Sequence, residues 1–519
     1  MSKAGAFYIT TAIDYANSKP HAGHAYEKVI TDIIARYKRL CGFDVAFTTG
    51  TDEHSLNVLA KAKELGKDPK QYCDEMAVAF KELCALYNIS ITDFIQTTEE
   101  RHAKSVSELF RRSHENGDIY KGKYEGWYCR SCEAFYNVTD LTEDKCCPTH
   151  KQKADLITEE NYFIKISKYS DALLKHIEDN PDFIQPDSRR NEILSMLKAG
   201  FRDISVSRPG LEWGIRLPID EKQTVYVWFD ALINYITSAG FGTDDARFNK
   251  YWPADYHMIG KDIIKFHCII WPVMLMSAGL PLPKHVYAHG FLLNKGEKMS
   301  KTRGNIVDPI EMANKYGAEA IRFYFAANVV NGEDGDFSED SIKVSFNTNL
   351  ANDLGNLINR SLNMVEKYFE GSTPEFSDDA CDEKMREVIA MINAFYPKYH
   401  SAMETLNFSA AMAETWKMIG RANKLIDEEA PWALAKEGNT KKLGSVMYIL
   451  LEIIRAASVA SLPVMPETAK KIWDRLGAAY DEKTISPEAE LKFGRSIAGA
   501  KVNKGEPLFP RIVDEEKAK

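Results

Sequence analysis

The first hundred residues alternate between two hydrophobic periods, and that alternation limits the fold more than any other feature of the chain. Phe7 to Ile13 (FYITTAI) is a short apolar run of the kind that forms a buried strand. From about Gly23 to Leu40 the apolar residues Ala25, Val29, Ile30, Ile33, Ile34, Tyr37 and Leu40 recur at three- and four-residue steps, the spacing of one helix face. Val45 to Thr49 is a second strand-like run, and helical patterns follow over about Ser55 to Gly66 and Pro69 to Asn88. Strand, helix, strand, helix is the order of a parallel, doubly wound (Rossmann-like) α/β sheet. Ligands bind beyond the carboxyl ends of such strands. Both polar clusters of this region, His21/His24 and Asp52/His54, stand there.

The alternation breaks near Asp118. From Tyr124 to about Thr224 the chain reads as strand-like and irregular, and it contains a cysteine cluster. The α/β pattern resumes at Thr224 to Phe229 (TVYVWF). It continues through His257-Met258-Ile259-Gly260, a helix over about Asp262 to Ala278 and a strand-like run from Val286 to Leu292, ahead of the polar loop Asn294 to Asn305. From about Ser341 to Leu476 helical spacing dominates, with breakers around Gly371 to Ser377 and at Pro431, as in an antiparallel helical bundle. The expected organisation is the first half of an α/β domain over 1–117, an insertion over 118–224, the second half over 225–340 and an all-α bundle over 341–519.

Composition narrows the function classes. A formal net charge of −9 gives no global attraction to nucleic acid and argues against an indiscriminate nucleic-acid binder, while leaving room for a local basic face. The amino terminus, MSKAGAFYITTA, lacks the apolar stretch of a signal peptide. The richest apolar run, Ile263 to Leu280, is interrupted by Lys265 and His267, so no membrane association is expected and the plain expectation is a cytoplasmic protein. Five of the nine cysteines (Cys41, Cys73, Cys84, Cys268 and Cys381) are scattered, most in apolar patterns, as buried reduced thiols would be.

Three constellations carry chemistry. His21-Ala22-Gly23-His24 places two imidazoles on the first turn of a helix, whose N-terminal N–H groups and dipole favour an anion, and Gly23 lets that anion approach the backbone. By itself the pair fits two unrelated surface histidines equally well. Lys298-Met299-Ser300-Lys301-Thr302, followed by Arg303 and Gly304, offers flexible ammonium groups to a polyphosphate. Alone it would be better read as a solvated loop. Cys129-x-x-Cys132 and Cys147-x-x-His150 form two knuckles with the spacing of a closed, structural Cys3His zinc site. Cys146 competes for the third thiolate position, and the two-residue spacing to His150 favours Cys147.

Together the first two motifs resemble the signature pair of class I aminoacyl-tRNA synthetases, the HIGH tetrapeptide and the KMSKS loop, with Ala22 and Thr302 as departures. Within that class the runs TGTDEH, NYFIKISKY, PDSRRNEILS, VYVWFDALINY, MIGKDIIKFH, WALAKE and PLFPR are similar to methionyl-tRNA synthetases over nearly the whole chain. The resemblance implies activation of methionine by ATP, with magnesium, to an adenylate, and transfer to the 3′ end of tRNA(Met). It assigns His21 and His24 to the phosphates, Lys298 and Lys301 to the departing pyrophosphate with Lys301 the more important, and Ser300 to the ATP site. Gly260 and Asp262 fall on the ribose-contacting stretch. Ile13, Tyr15, Asp52, Trp228, Ala231, Tyr235, Ile263 and His267 fall on the methionine site, Asp52 against the ammonium group and the aromatic residues around the thioether. Without the resemblance, Trp228 and Tyr235 would read as ordinary aromatic core.

Ala12 and Asp14 stand where these synthetases usually carry Pro or an aromatic, which places a carboxylate beside the methionine pocket with a possible pull on the ammonium. The bundle resembles the family's anticodon-binding domain, with Asn359 and Trp432 on contact positions and Asn363 where some relatives carry Arg. The sequence ends soon after the bundle, without the appended dimer-forming module of some relatives, so a monomer is expected. A non-catalytic paralogue would have lost the histidines or the second lysine. A small acid–amine ligase would have no use for the bundle.

Overall fold

The computed structural model describes residues 4–129, 134–136, 138–148, 151–299, 304–479, 481, 484–496 and 498–513. Its centre is a seven-stranded sheet made of β1 (Ala4–Thr11), β2 (Asp14–Tyr15), β3 (Phe43–Asp52), β4 (Asp93–Gln96), β5 (Ile184–Gln185), β6 (Tyr256–Gly260) and β7 (His285–His289). Every pairing is parallel. The order runs β2-β3-β1-β6-β7-β5, with β4 also on β3. From β1 the chain moves outward on one side to β3, and β6 returns on the other. The strand order therefore reverses between β1 and β6, and a crevice opens there beyond the strand ends. Large apolar cores cover the sheet, one joining helix α1 (Ala22–Leu40) to the bundle and the other built on Tyr8, Ile259 and Trp271. This is the doubly wound arrangement expected from the alternating periods.

The segment expected to be irregular holds more order than its pattern suggests. A four-stranded antiparallel sheet is centred on Ile119–Cys129 and Asp155–Ile164, and two helices follow, Ile166–Asp179 and Asp187–Lys198. The first helix buries Ile166, Leu173 and Ile177, a helical spacing diluted by charged neighbours. Between the helices the chain gives β5 back to the edge of the main sheet, so this insertion is interlocked with the domain it interrupts. The run TVYVWF also differs from expectation. Its strand, Asp220–Val225, belongs to a small antiparallel sheet, and Trp228 lies on a short helix, Val227–Leu232. A short apolar run does not reveal by periodicity whether it is strand or buried helix.

β7 stops at His289 because the chain must turn at Gly290, where a Cβ would lie 2.0 Å from the Glu333 carbonyl oxygen. The bundle comprises Glu339–Ser345 running on through Phe346–Gly355 into Asn356–Phe369, then Glu383–Asn393, Phe395–Glu404, Phe408–Glu429, Pro431–Lys436, Thr440–Ser461 and Pro466–Leu476. Thr440–Ser461, rather than the run after Ile263, is the described helix long and apolar enough to cross a membrane, and it is wholly buried at the bundle centre. Bundle and sheet meet through Arg322, which is fully buried. It pairs with Asp32 of α1 at 2.8 Å and donates to the carbonyls of Tyr87, Pro463 and Val464.

Candidate active site

α1 begins at the crevice, and His21 and His24 build its cap. His21 Nδ1 accepts the Gly23 N–H and His24 Nδ1 accepts the His21 N–H, both at 3.1 Å. The rings stack with centroids 3.6 Å apart. A side chain at Gly23 would press against the His21 ring at 3.1 Å, so the glycine makes room for this folded-back cap. Because each Nδ1 is an acceptor, each neutral ring carries its proton on Nε2. Burial, then His21 and Lys28, hold His24 well below the usual imidazole range, so it is neutral. The helix end thus carries two Nε2–H donors, that of His24 with the Asp14 carboxylate 3.6 Å away, and the helix's own first turn carries no acidic residue. Such an end receives an anion.

Asp14 has partners of its own in the fold. Its carboxylate forms a buried ion pair with Lys28, and its other oxygen lies 3.6 Å from His24 Nε2. Burial raises its pKa to about 6 against the pull of Lys28. Ala12 extends the strand edge, its N–H donating to Met258 at 3.0 Å.

The expected methionine residues converge on the same crevice from both halves of the domain. Tyr15 sits opposite Asp52 in the β2–β3 register, and Asp52 is buried. Tyr15 meets the Trp228 ring edge-on at 5.9 Å, and Trp228 stacks on Phe266 at 3.7 Å. Ala231 is buried on the Trp228 helix, and Ile13 lies in the loop leaving β1. His267 Nδ1 faces the Ile263 carbonyl at 2.9 Å and Nε2 faces the Tyr235 hydroxyl at 2.6 Å. The carbonyl can only accept, so Nδ1 donates and the tyrosine donates to Nε2. Burial depresses His267 to about 4, which keeps it neutral. His267 rides on a π-helical segment, Phe266–Ile270, a local widening that recurs at functional sites.

Gly260 ends β6 and Asp262 follows in a tight turn; a Cβ on Gly260 would lie 2.7 Å from the Asp262 carboxylate. Lys298 ends an antiparallel ribbon and lies over the Phe291 ring at 5.0 Å. Ser300 and Lys301 lie outside the described residues.

The family described as tRNA synthetases class I (M) matches residues 7–156 and 136–362, and the anticodon binding domain of methionyl tRNA ligase matches 374–519. The methionine–tRNA ligase of Caldanaerobacter subterraneus subsp. tengcongensis is 47% identical over 98% of this chain and 79% of its own length. That of Thermotoga maritima is 45% identical over 98% and 80%. The chain belongs to the methionyl-tRNA synthetases. Mycobacterium tuberculosis methionyl-tRNA synthetase in complex with methionyl-adenylate superposes with a TM-score of 0.94 at 40% identity, covering 98% of this chain and all of that one. The activity is therefore methionine–tRNA ligation through methionyl-adenylate.

In this synthetase the two expected anticodon residues fall at one end of the bundle. Helix Phe408–Glu429 stops at Ala430, whose φ of 41° is left-handed, and Pro431 starts the next helix with Trp432 50% exposed. Asn359 is half-buried beside Arg360, which pairs with Asp427 at 2.8 Å, close before that break. In the insertion, Cys129 ends its strand fully buried, as is Cys147, while Cys146 is half exposed with its thiol facing the Asp144 carbonyl. Cys132 and His150 lie outside the described residues.

Sequence reasoning missed Phe266, the stacking partner of Trp228, and a buried pair formed by Glu27 of α1 and His289 at the end of β7, 2.9 Å apart. Burial lowers His289, but Glu27 outweighs it and raises the imidazole above its ordinary range. His289 had a signal, a polar residue at a strand end before Gly290. Phe266 had none.

Proposed function

We propose that the crevice between β1 and β6 holds methionine on its β3 side and ATP against the first turn of α1. The observation that carries this is the pair of Nε2–H donors at the helix end, in the same crevice as Asp52, Tyr15 and Trp228. Asp52 takes the substrate ammonium. Tyr15, Trp228, Tyr235 and His267 enclose the polarizable thioether, with Ile13, Ala231 and Ile263 closing the pocket. Gly260 and Asp262 receive the ribose.

The methionine carboxylate forms its bond to the α-phosphorus while the bond to the bridging oxygen breaks, and pyrophosphate departs with the electron pair. His21 and His24 donate to the phosphate oxygens as charge builds there. Lys298 and Lys301, with Ser300, draw on the leaving pyrophosphate. No protein nucleophile is required, so positioning and charge stabilisation supply the rate. The 3′-terminal adenosine of tRNA(Met) then takes the acyl group and AMP leaves, while Asn359 and Trp432 read the anticodon. Magnesium, when bound with ATP, would supply further neutralisation of the phosphate charge.

The cysteine knuckles fit one structural zinc. Cys129 and Cys147 are buried thiols, ill suited to solvent chemistry, and burial favours Cys147 over Cys146 as the third thiolate. Cys129 and Cys147, with Cys132 and His150, would hold the ion, and zinc there would pin the turns of the insertion.

The test is ATP–pyrophosphate exchange measured with each standard amino acid. Exchange should be best with methionine. Exchange with none, or best with another amino acid, overturns the assignment.

A further inference from the structure

The short helix Val227–Leu232 carries Trp228 and Ala231, and between them a carboxylate, Asp230, that is 1% exposed. Each of its oxygens meets an imidazole. His54 Nδ1 lies 2.6 Å from Oδ2, and His102 Nε2 lies 2.9 Å from Oδ1. His54 follows Asp52 on the loop that ends β3, and His102 sits in the first turn of helix Glu100–Glu115, 0% exposed. One carboxylate from the second half of the split domain is thus gripped by two imidazoles from the first half.

The surroundings make the grip rigid. The second nitrogen of His102 lies 3.1 Å from Thr237 Oγ1, and that hydroxyl donates to the Ile233 carbonyl at 3.0 Å. His102 is thus anchored on both ring nitrogens, by Thr237 on one side and Asp230 on the other. His54 packs edge-on against Trp213 at 5.4 Å, and the indole N–H of Trp213 donates to the Glu53 carbonyl at 2.6 Å. The Glu53 side chain is held in turn by Thr51, Gln96 and Thr98. Burial would raise the Asp230 carboxyl, but His54 and His102 bring it down to about 2, so it stays charged.

We propose that Asp230 is a positioning residue for methionine recognition: held by His54 and His102, it sets the separation between Asp52 and Trp228 across the pocket. Asp52 and His54 share one loop, and Asp230 and Trp228 are neighbours on one helix. Fixing His54 to Asp230 therefore fixes the ammonium end of the pocket relative to its aromatic end. A binding site keeps its geometry only when a second layer of groups locks its contact residues. His102 acts further back still, by orienting the carboxylate. This inference rests on the assignment of Asp52 and Trp228 to methionine.

The experiment measures ATP–pyrophosphate exchange with methionine and ATP varied separately, below the Tm of each variant. Asp230→Asn and His102→Gln should raise KM for methionine roughly 10- to 100-fold, with kcat and KM for ATP little changed. Asp52→Asn and Trp228→Ala serve as references. If the references leave KM for methionine unchanged, the pocket assignment has failed. If the references raise it while Asp230→Asn and His102→Gln do not, or if both KM values rise together, the positioning role is overturned. Should Asp230→Asn fail to fold, His54→Gln, which removes one of the two grips and leaves the carboxylate in place, carries the same expectation and the same refutation.

Discussion

The switch-point crevice and the Pro431 end of the helical bundle place their functional residues under opposite conditions. In the crevice the side chains interlock, Asp52, Tyr235 and His267 buried, Tyr15, His24 and Trp228 half-buried and His21 exposed at the helix end. His21 and His24 cap each other's backbone, Tyr235 and His267 share a hydrogen bond, and Trp228 lies flat on Phe266. At the bundle end Trp432 stands 50% exposed after a left-handed break. Chemistry at phosphorus requires charges fixed in a water-poor site before the reaction begins. Reading an unpaired base requires a free π-face. The difference teaches that damage in the crevice should alter adenylate formation, whereas damage at the bundle end should separate tRNA charging from the chemistry. Arg322 joins the two regions, but through Asp32 and backbone carbonyls in the shared core rather than through either set of functional residues.

The largest effect is expected from Lys301→Ala. It should slow single-turnover adenylate formation by about 2.7–4 kcal/mol while methionine binding stays nearly intact, by analogy with loss of one oxyanion donor. An unchanged rate would remove Lys301 from the mechanism. Next, Asp52→Asn should weaken equilibrium methionine binding by about 1.5–3 kcal/mol, the scale of a hydrogen bond to a charged group, and leave ATP binding almost unaltered. Equal losses for both ligands would make Asp52 a residue of the fold.

Trp432→Ala then sharpens the comparison from the other side. Aminoacylation of tRNA should fall by about 1–3 kcal/mol, the worth of one stacked base, while exchange with methionine and Tm hold. Exchange and Tm falling with charging would make Trp432 a packing residue.

A smaller effect concerns pH. Burial lowers the folded pKa of His267 to about 4, below its unfolded value, so between the two the unfolded chain binds more protons. Stability should therefore fall with pH through that window. The stability difference between the native chain and His267→Gln should move by about 1 kcal/mol against the native chain between pH ~6.5 and ~5.5. Denaturant titrations at the two pH values measure it, and a flat difference would mean that His267 titrates as it does when unfolded. The smallest effect is expected from Cys146→Ser, which should keep the zinc content found by metal analysis, whereas Cys147→Ser should lose most of it. The reverse pattern would exchange their roles.

Much of this was legible in the sequence because it is local. The spacing from Ala25 to Leu40 announces α1 to within a residue of its start, and His21-Ala22-Gly23-His24 announces an anion-receiving cap. Gly371 and Pro431 mark breaks in the bundle, because a left-handed φ and a missing N–H are properties of single residues and their neighbours. The strand ends that carry Asp52 and Gly260 follow from period-switching in the same way. What only the tertiary structure decided involves partners far apart in the chain. Asp14 pairs with Lys28 of α1, a partner that its place beside the expected pocket did not announce. TVYVWF splits into strand and helix because Trp228 finds a stacking partner in Phe266. Asp230 finds His54 and His102 because the insertion brings the two halves of the domain back together. Local periodicity fixes which face a residue presents. Which group it meets there depends on how distant segments pack, since the hydrophobic burial that drives them together is non-directional and leaves no mark on either segment alone.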